Sequence, residues 1–110
     1  MRLSLIVPCY NEESNLVRFH RSASAVAEGL CRDGVIDEYE LLFVDDGSKD
    51  GTLAGLKALA ETDGHVRYLS FTRNFGKEAA MLAGLEHSRG DRVVILDADL
   101  QDPPELLPEM

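Results

Sequence analysis

Apolar residues along this chain follow two alternating rhythms. Four short, nearly unbroken apolar runs, at 3–7, 41–44, 66–71 and 93–96, are rich in Leu, Val, Ile and Phe. Runs of that kind predict strands of a parallel sheet covered on both faces. Between them the spacing changes to steps of three and four. Leu16, Phe19, Ala23, Val26 and Leu30 make one stripe of a helix over about 14–30. Leu53, Leu56, Leu59 and Ala60 predict a second helix over about 52–61, and Ala80, Leu82, Ala83 and Leu85 a third over about 77–88. Asn11 or Ser14 is expected to cap the first helix, Asp33-Gly34 to break the chain after it, and Gly64 to close the second.

The order is βαβαβαβ, an α/β class whose crossovers are expected to be right-handed. The chain contains no linker, repeat or low-complexity segment. An open sheet ending on a newly finished strand predicts that residues 1–110 are the N-terminal portion of a longer domain.

Composition narrows the function classes. At 45% hydrophobic and 28% charged the chain reads as globular, not disordered. The longest apolar runs are too short to span a bilayer, and the first residues read as a strand, not a signal peptide. A net charge of −9 argues against a nucleic-acid backbone as ligand, which needs Lys and Arg for counterion release. Cys9 and Cys31 lack zinc-ligand spacing and are expected as reduced thiols in a reducing compartment. His20, His65 and His87 share no metal-ligand spacing and are expected on the surface.

Ligands of open α/β sheets bind beyond the carboxyl ends of the strands, and each predicted strand here ends in distinctive residues. The first ends in Pro8-Cys9-Tyr10-Asn11-Glu12-Glu13. Pro8, lacking a ladder donor, is expected to end the strand. Tyr10 offers a ring to stack on a planar base and Glu12 a carboxylate for its donors, while Asn11, Glu12 and Glu13 could equally cap the helix that follows. The second ends in Asp45-Asp46-Gly47-Ser48. An acid there can accept from a ribose or a base N–H, or simply shape an Asx-type turn. Adjacent acids point in different directions, so one of the two is expected to face a ligand. After the third strand, Arg73 and Lys77 flank Asn74-Phe75-Gly76 at a helix start, an arrangement suited to a phosphate or to a surface loop whose cations offset neighbouring acids.

The fourth run ends in Asp97-Ala98-Asp99-Leu100-Gln101-Asp102. Two carboxylates about 4 Å apart repel by roughly 4 kcal/mol at an effective dielectric near 20. A divalent cation removes that penalty, and oxygen donors suit Mg²⁺ or Mn²⁺. In an extended segment Asp97 and Asp99 project to the same side, and Gln101 continues the series. The residues alone therefore predict a metal site that holds a diphosphate.

The strings Ile6-Val7-Pro8-Cys9-Tyr10-Asn11-Glu12-Glu13, Val44-Asp45-Asp46-Gly47-Ser48 and Asp97-Ala98-Asp99 resemble the motifs of family 2 glycosyltransferases. Arg73-Asn74-Phe75-Gly76-Lys77-Glu78 and the run from Asp97 to Glu105 are similar to those of the polyprenyl-phosphate branch of that family. The resemblance covers nearly the whole chain. It implies a GT-A fold, Rossmann-like and mainly parallel, with residues 1–110 as the nucleotide-sugar-binding part. It implies a nucleotide pocket of Pro8, Tyr10, Glu12, Val44, Asp45, Asp46, Asp97 and Ala98, with Asp46, more than Asp45, on the base. Arg73 and Lys77 would meet the donor phosphates, Asp97 and Asp99 would be the catalytic carboxylates, and Asp99 and Gln101 would ligate Mg²⁺ or Mn²⁺. The implied reaction is inverting sugar transfer from a UDP- or GDP-sugar to a lipid phosphate such as undecaprenyl or dolichyl phosphate. The family's acceptor-side residues and membrane-associating helices lie downstream of this segment. The isolated segment is therefore expected to be inactive or nearly so, within a protein on the cytoplasmic side of a membrane. Homo-oligomerisation is left open.

Other readings compete. A family 2 enzyme could use a saccharide acceptor instead. A dinucleotide-binding oxidoreductase fits the βαβ pattern, but the Gly-x-Gly-x-x-Gly turn is missing after the first strand. A Mg²⁺-dependent phosphoacceptor module would explain Asp45 and Asp46, but neither Tyr10 nor the series from Asp97 to Gln101.

Overall fold

In strand β1 (Arg2–Cys9), Leu3, Leu5, Ile6 and Val7 are all buried. A strand apolar on both faces belongs in the middle of a covered sheet, and β1 is flanked on both sides. The computed structural model describes residues 1–96 and Ala98. Among them the elements are β1, α1 (Leu16–Arg32), β2 (Glu38–Asp45), α2 (Thr52–Thr62), β3 (Val66–Ser70), α3 (Lys77–His87) and β4 (Arg92–Ile95). The strands form a parallel sheet in the order β3-β2-β1-β4. The alternation expected from the apolar runs is therefore present, with ends shifted by a few residues.

The sheet is covered unequally. Leu3, Leu5, Val7, Leu41 and Phe43 face α1 and α2, where they meet Leu16, Phe19, Ala23, Ala27 and Leu56. Phe19 sets its edge against Phe43 at a centroid distance of 6.2 Å. The opposite face carries Ile6 and Val44 under Ala80 of α3. Gly84 lets α3 lie close on β1, because a Cβ there would collide with the Ile6 side chain. Leu82 and Leu85, expected near the apolar side of α3, are instead 58% and 45% exposed. Small residues, Ala80 and Gly84, make the buried line of this helix, so its large apolar residues fall outside it.

Helix boundaries follow local chemistry. α1 starts at Leu16 with Asn15 in the N-cap position and no side-chain cap, so neither Asn11 nor Ser14 caps it. It ends as expected at Asp33-Gly34. Gly34 has φ 77°, its N–H reaches Cys31 O, and Val35 N–H reaches Leu30 O, the paired bonds of a Schellman ending. α2 ends one residue before an extended Asp63, not at Gly64. The Asp63 carboxylate accepts from His65 N–H at 2.9 Å and contacts His20 Nε2 at 2.8 Å and His65 Nδ1 at 3.0 Å. Burial alone would raise this carboxyl, but those partners outweigh it and hold it below the usual range. His20 is thus half-buried, not a surface residue.

Pro8 does not end β1. The strand runs through it to Cys9, with Pro8 opposite Val44 and Cys9 opposite Asp45. The missing donor acts on the other side. Ile6 O accepts from Leu96 N–H, while Cys9 O accepts from Asp46 N–H, so even positions of β1 address β4 and odd positions address β2. The β1–β4 register accordingly stops at Ile6 and Ile95, where Pro8 has no N–H to continue it.

β2 starts three residues before its apolar run because Glu40 is buried in satisfied form. Its carboxylate accepts from Ser4 Oγ at 2.5 Å, Arg67 Nη1 at 2.5 Å and Arg89 N–H at 2.7 Å. One side chain thereby joins β1, β2, β3 and the α3–β4 connection. Burial alone would raise the Glu40 carboxyl, but the donors from Ser4, Arg89 and Arg67 prevail and hold it below the usual glutamate range. A carboxyl lowered on folding stabilises above its unfolded pKa, and that contribution is lost as pH falls through the folded value. Glu40→Gln should lower stability at neutral pH by about 2 kcal/mol, as charged hydrogen bonds are lost. Denaturant titrations should show that it also flattens the stability loss of the parent protein below about pH 4.5. A variant with unchanged neutral stability and the same acid slope would contradict this role.

Candidate functional site at the carboxyl rim

The chain direction reverses across the sheet between β1 and β4. α1 and α2 carry the chain from β1 to β3 along one face, and α3 returns it across the other to β4. Crevices open at such points beyond the strand ends. Here Pro8 also stops the ladder on the β4 side.

Three of the four predicted clusters meet there through hydrogen bonds. The segment after β1 is joined to the segment after β2. Asn11 N–H donates to Ser48 Oγ at 2.9 Å, and Lys49 N–H donates to Asn11 Oδ1 at 2.8 Å. Glu12 N–H donates to Thr52 Oγ1 at 2.9 Å, and Gly51 N–H donates to Glu13 Oε1 at 3.0 Å. Asn11 takes φ 53° to do this, a conformation Asn tolerates better than most residues. Asn11 and Glu13 therefore serve the loop pairing, not the end of α1. Asp50 accepts from Thr52 N–H and Oγ and from Glu13 N–H. Its slight desolvation would raise its carboxyl, but these donors hold it below the usual range.

Tyr10 stands on this rim with its side chain exposed, and Glu12 is half-buried with one oxygen on Asn15 Nδ2 at 2.9 Å. Beneath them lie Pro8, half-buried, and Val44, fully buried. Cys9 is buried beside them, with Sγ 3.4 Å from Val7 O. Burial pushes its thiol far up, and the Glu12 and Asp45 carboxylates add to that, the setting of a structural cysteine. Cys9 and Cys31 are not joined to each other.

Asp45 and Asp46 are 2% and 3% exposed and point in different directions. Asp45 Oδ1 accepts from Ser48 N–H at 3.0 Å and Oδ2 from Ser70 Oγ at 3.4 Å. Asp46 Oδ1 accepts from Phe75 N–H at 2.8 Å and Oδ2 from Gly76 N–H at 3.0 Å. Each oxygen of the acid expected on the base is thus already engaged by the segment after β3. Gly47, at φ 71°, packs so tightly on the Arg73–Asn74 peptide that a Cβ would overlap it. The sequence reading missed this contact, although Asp-Gly signals a turn. In the same segment Phe75 meets Phe71 edge-on at 5.6 Å, and Arg73 lies over the Phe75 ring at 4.8 Å from its centroid. Arg73 and Lys77 are both exposed at the start of α3.

From the fourth cluster, Ala98 is buried in the α1 and α2 side of the core beside Leu96. Asp97, Asp99 and Gln101 lie outside the described residues. Among the described residues no group of three or more His, Cys, Asp or Glu could hold a metal. The acids after β2 are occupied by N–H and O–H donors from the surrounding segments. Among the described residues, too, no helix is long and apolar enough to cross a membrane.

Known proteins resemble this chain in sequence and in fold. The bactoprenol glucosyl transferase of Shigella phage SfX is 46% identical over 110 residues, covering 100% of this chain and 34% of that protein. The undecaprenyl-phosphate 4-deoxy-4-formamido-L-arabinose transferase of Pseudomonas paraeruginosa is 45% identical over 109 residues, covering 98% of this chain and 31% of that protein. The chain thus spans about a third of the length of these curated relatives. Among solved structures, the mannosyltransferase PcManGT from Pyrobaculum calidifontis, in complex with GDP-Man and Mn²⁺, superposes with a TM-score of 0.75 at 32% identity. That match covers 89% of this chain and 27% of that one, and the fold is that of the GT-A glycosyltransferases. The model of the family described as Glycosyl transferase family 2 matches residues 4–110. With that match added to the reversal point and its paired loops, the chain belongs to glycosyl transferase family 2.

Proposed function

We propose that residues 1–110 are the donor-binding part of a metal-dependent, inverting glycosyltransferase. It would move a sugar from a UDP- or GDP-sugar to a polyprenyl phosphate. The observation that carries this reading is the joined rim itself: loops after β1, β2 and β3 locked together by buried acids and backbone N–H groups at the sheet's reversal point. Relatives named for bactoprenol and undecaprenyl phosphate support the acceptor class. The neighbour holding GDP-Man and Mn²⁺ supports the donor and the cation.

In this reading the nucleoside sits against Pro8, Tyr10, Glu12 and Val44, bounded by Asp45 and Asp46. Tyr10 supplies a face for the base and Glu12 an acceptor for its N–H groups. Asp97 and Ala98 line the ribose side. Arg73 and Lys77 approach the donor phosphates from the start of α3, where backbone N–H groups also favour an anion. Asp99 and Gln101 would hold Mg²⁺ or Mn²⁺, which neutralises the leaving diphosphate. An acceptor phosphate is already anionic at neutral pH, so its attack on the anomeric carbon makes little demand for a strong general base.

Calorimetric titration with UDP, GDP and their sugar conjugates should show binding strengthened by Mn²⁺, with Asp99→Ala abolishing the Mn²⁺-dependent gain. Equal Mn²⁺-supported affinity in that variant would overturn the metal assignment. Tyr10→Ala should weaken nucleoside mono- and diphosphates alike, by about 1–3 kcal/mol for a lost base stack. Affinities unchanged on that substitution would remove Tyr10 from the pocket.

A further inference from the structure

Asp45 and Asp46 are neighbours in sequence and equally buried, yet they do different things. Asp45 bonds within its own turn and to the end of β3. Asp46 reaches a segment 29 and 30 residues further along the chain, accepting the N–H groups of Phe75 and Gly76 on its two oxygens. A second, independent contact fastens the same segment, because Gly47 leaves room for the Arg73–Asn74 peptide where any Cβ would not. The fastened segment ends in Gly76, whose φ of 102° turns the chain into α3. It also carries the Arg73 guanidinium stacked on Phe75, which in turn rests on Phe71.

We propose that Asp46 is a positioning residue: it clamps the 73–76 segment to the end of β2 and so presets Arg73 for the donor's phosphates. The phosphate half of this inference rests on the donor-binding reading above, and the clamp half does not. Asp46 then acts on the donor's phosphates through the loop, in addition to bounding the nucleoside. Ordering the loop before binding lowers the entropy lost when Arg73 engages an anion. The carboxylate suits the task because it accepts two N–H groups at once. An amide at this position accepts one and turns its own N–H₂ toward the other.

Amide hydrogen exchange and ligand affinities of Asp46→Asn, Arg73→Ala and the double variant test this. In the nucleotide-free protein, Asp46→Asn should speed exchange at Phe75 and Gly76 by about tenfold or more, with the amides of Leu41 and Phe43 unchanged. It should lose most of the affinity gained by UDP over UMP, or GDP over GMP, over and above its loss of monophosphate affinity. Arg73→Ala should lose the same gain, and the double variant should lose little beyond either single one. Should Asp46→Asn fail to fold, Gly47→Ala leaves the carboxylate in place but displaces the Arg73–Asn74 peptide, and should give the same split. Unchanged exchange at Phe75 and Gly76 overturns the clamp. Equal loss of mono- and diphosphate affinity in Asp46→Asn, or an undiminished diphosphate gain in Arg73→Ala, overturns the positioning role. If the parent protein binds no nucleotide, the donor reading fails and the phosphate half falls with it. Faster exchange at the two amides would still establish the clamp.

Discussion

Two desolvated carboxylates at the end of β2 are the constraint on which the rim is built. A buried carboxylate is tolerated only when donors surround it. Asp45 and Asp46 find theirs in backbone N–H groups and a serine from the segments around them. The requirement to satisfy these acids therefore fixes where the neighbouring loops lie. The loop after β1 is fastened to the same place by its own exchange of bonds with Ser48, Lys49, Gly51 and Thr52. Rigid strands below and mutually bonded loops above hold these three segments in fixed positions, the kind of order that precise orientation of a bound group requires.

The opposite edge of the sheet uses the same physics for a different end. Glu40 collects a hydroxyl, a guanidinium and a backbone N–H from three other parts of the chain. There the buried acid ties strands together near their amino ends, away from the carboxyl rim. The two faces of the sheet also differ. Broad apolar side chains of α1 and α2 fill one, whereas α3 approaches the other through Ala80 and Gly84 and leaves Leu82 and Leu85 outward.

Strand positions were readable in the sequence because burial on both faces leaves unbroken apolar runs, and α1 was readable from a single clear stripe. The extension of β2 through Glu40 was not. A glutamate looks solvated until Ser4, Arg67 and Arg89, distant in sequence, are brought around it. Pro8 was read as a strand end because a proline lacks a donor, but which neighbour loses that donor depends on the sheet order. At the site, the convergence of strand ends followed from topology, and the residue types at those ends told of an acidic rim. Whether Asp46 faced a ligand or a loop was not legible, since its partners Phe75 and Gly76 are set by the return of α3 across the sheet. The tight contact at Gly47 was hidden for the same reason.

The most direct measurement is a crystal structure of the protein with Mn²⁺ and a nucleoside diphosphate. The account predicts the base against Tyr10, the cation on Asp99 and Gln101, and the diphosphate between that cation and Arg73. A nucleotide bound away from the ends of β1 and β4, or a cation held with Asp99 and Gln101 turned from it, would contradict it.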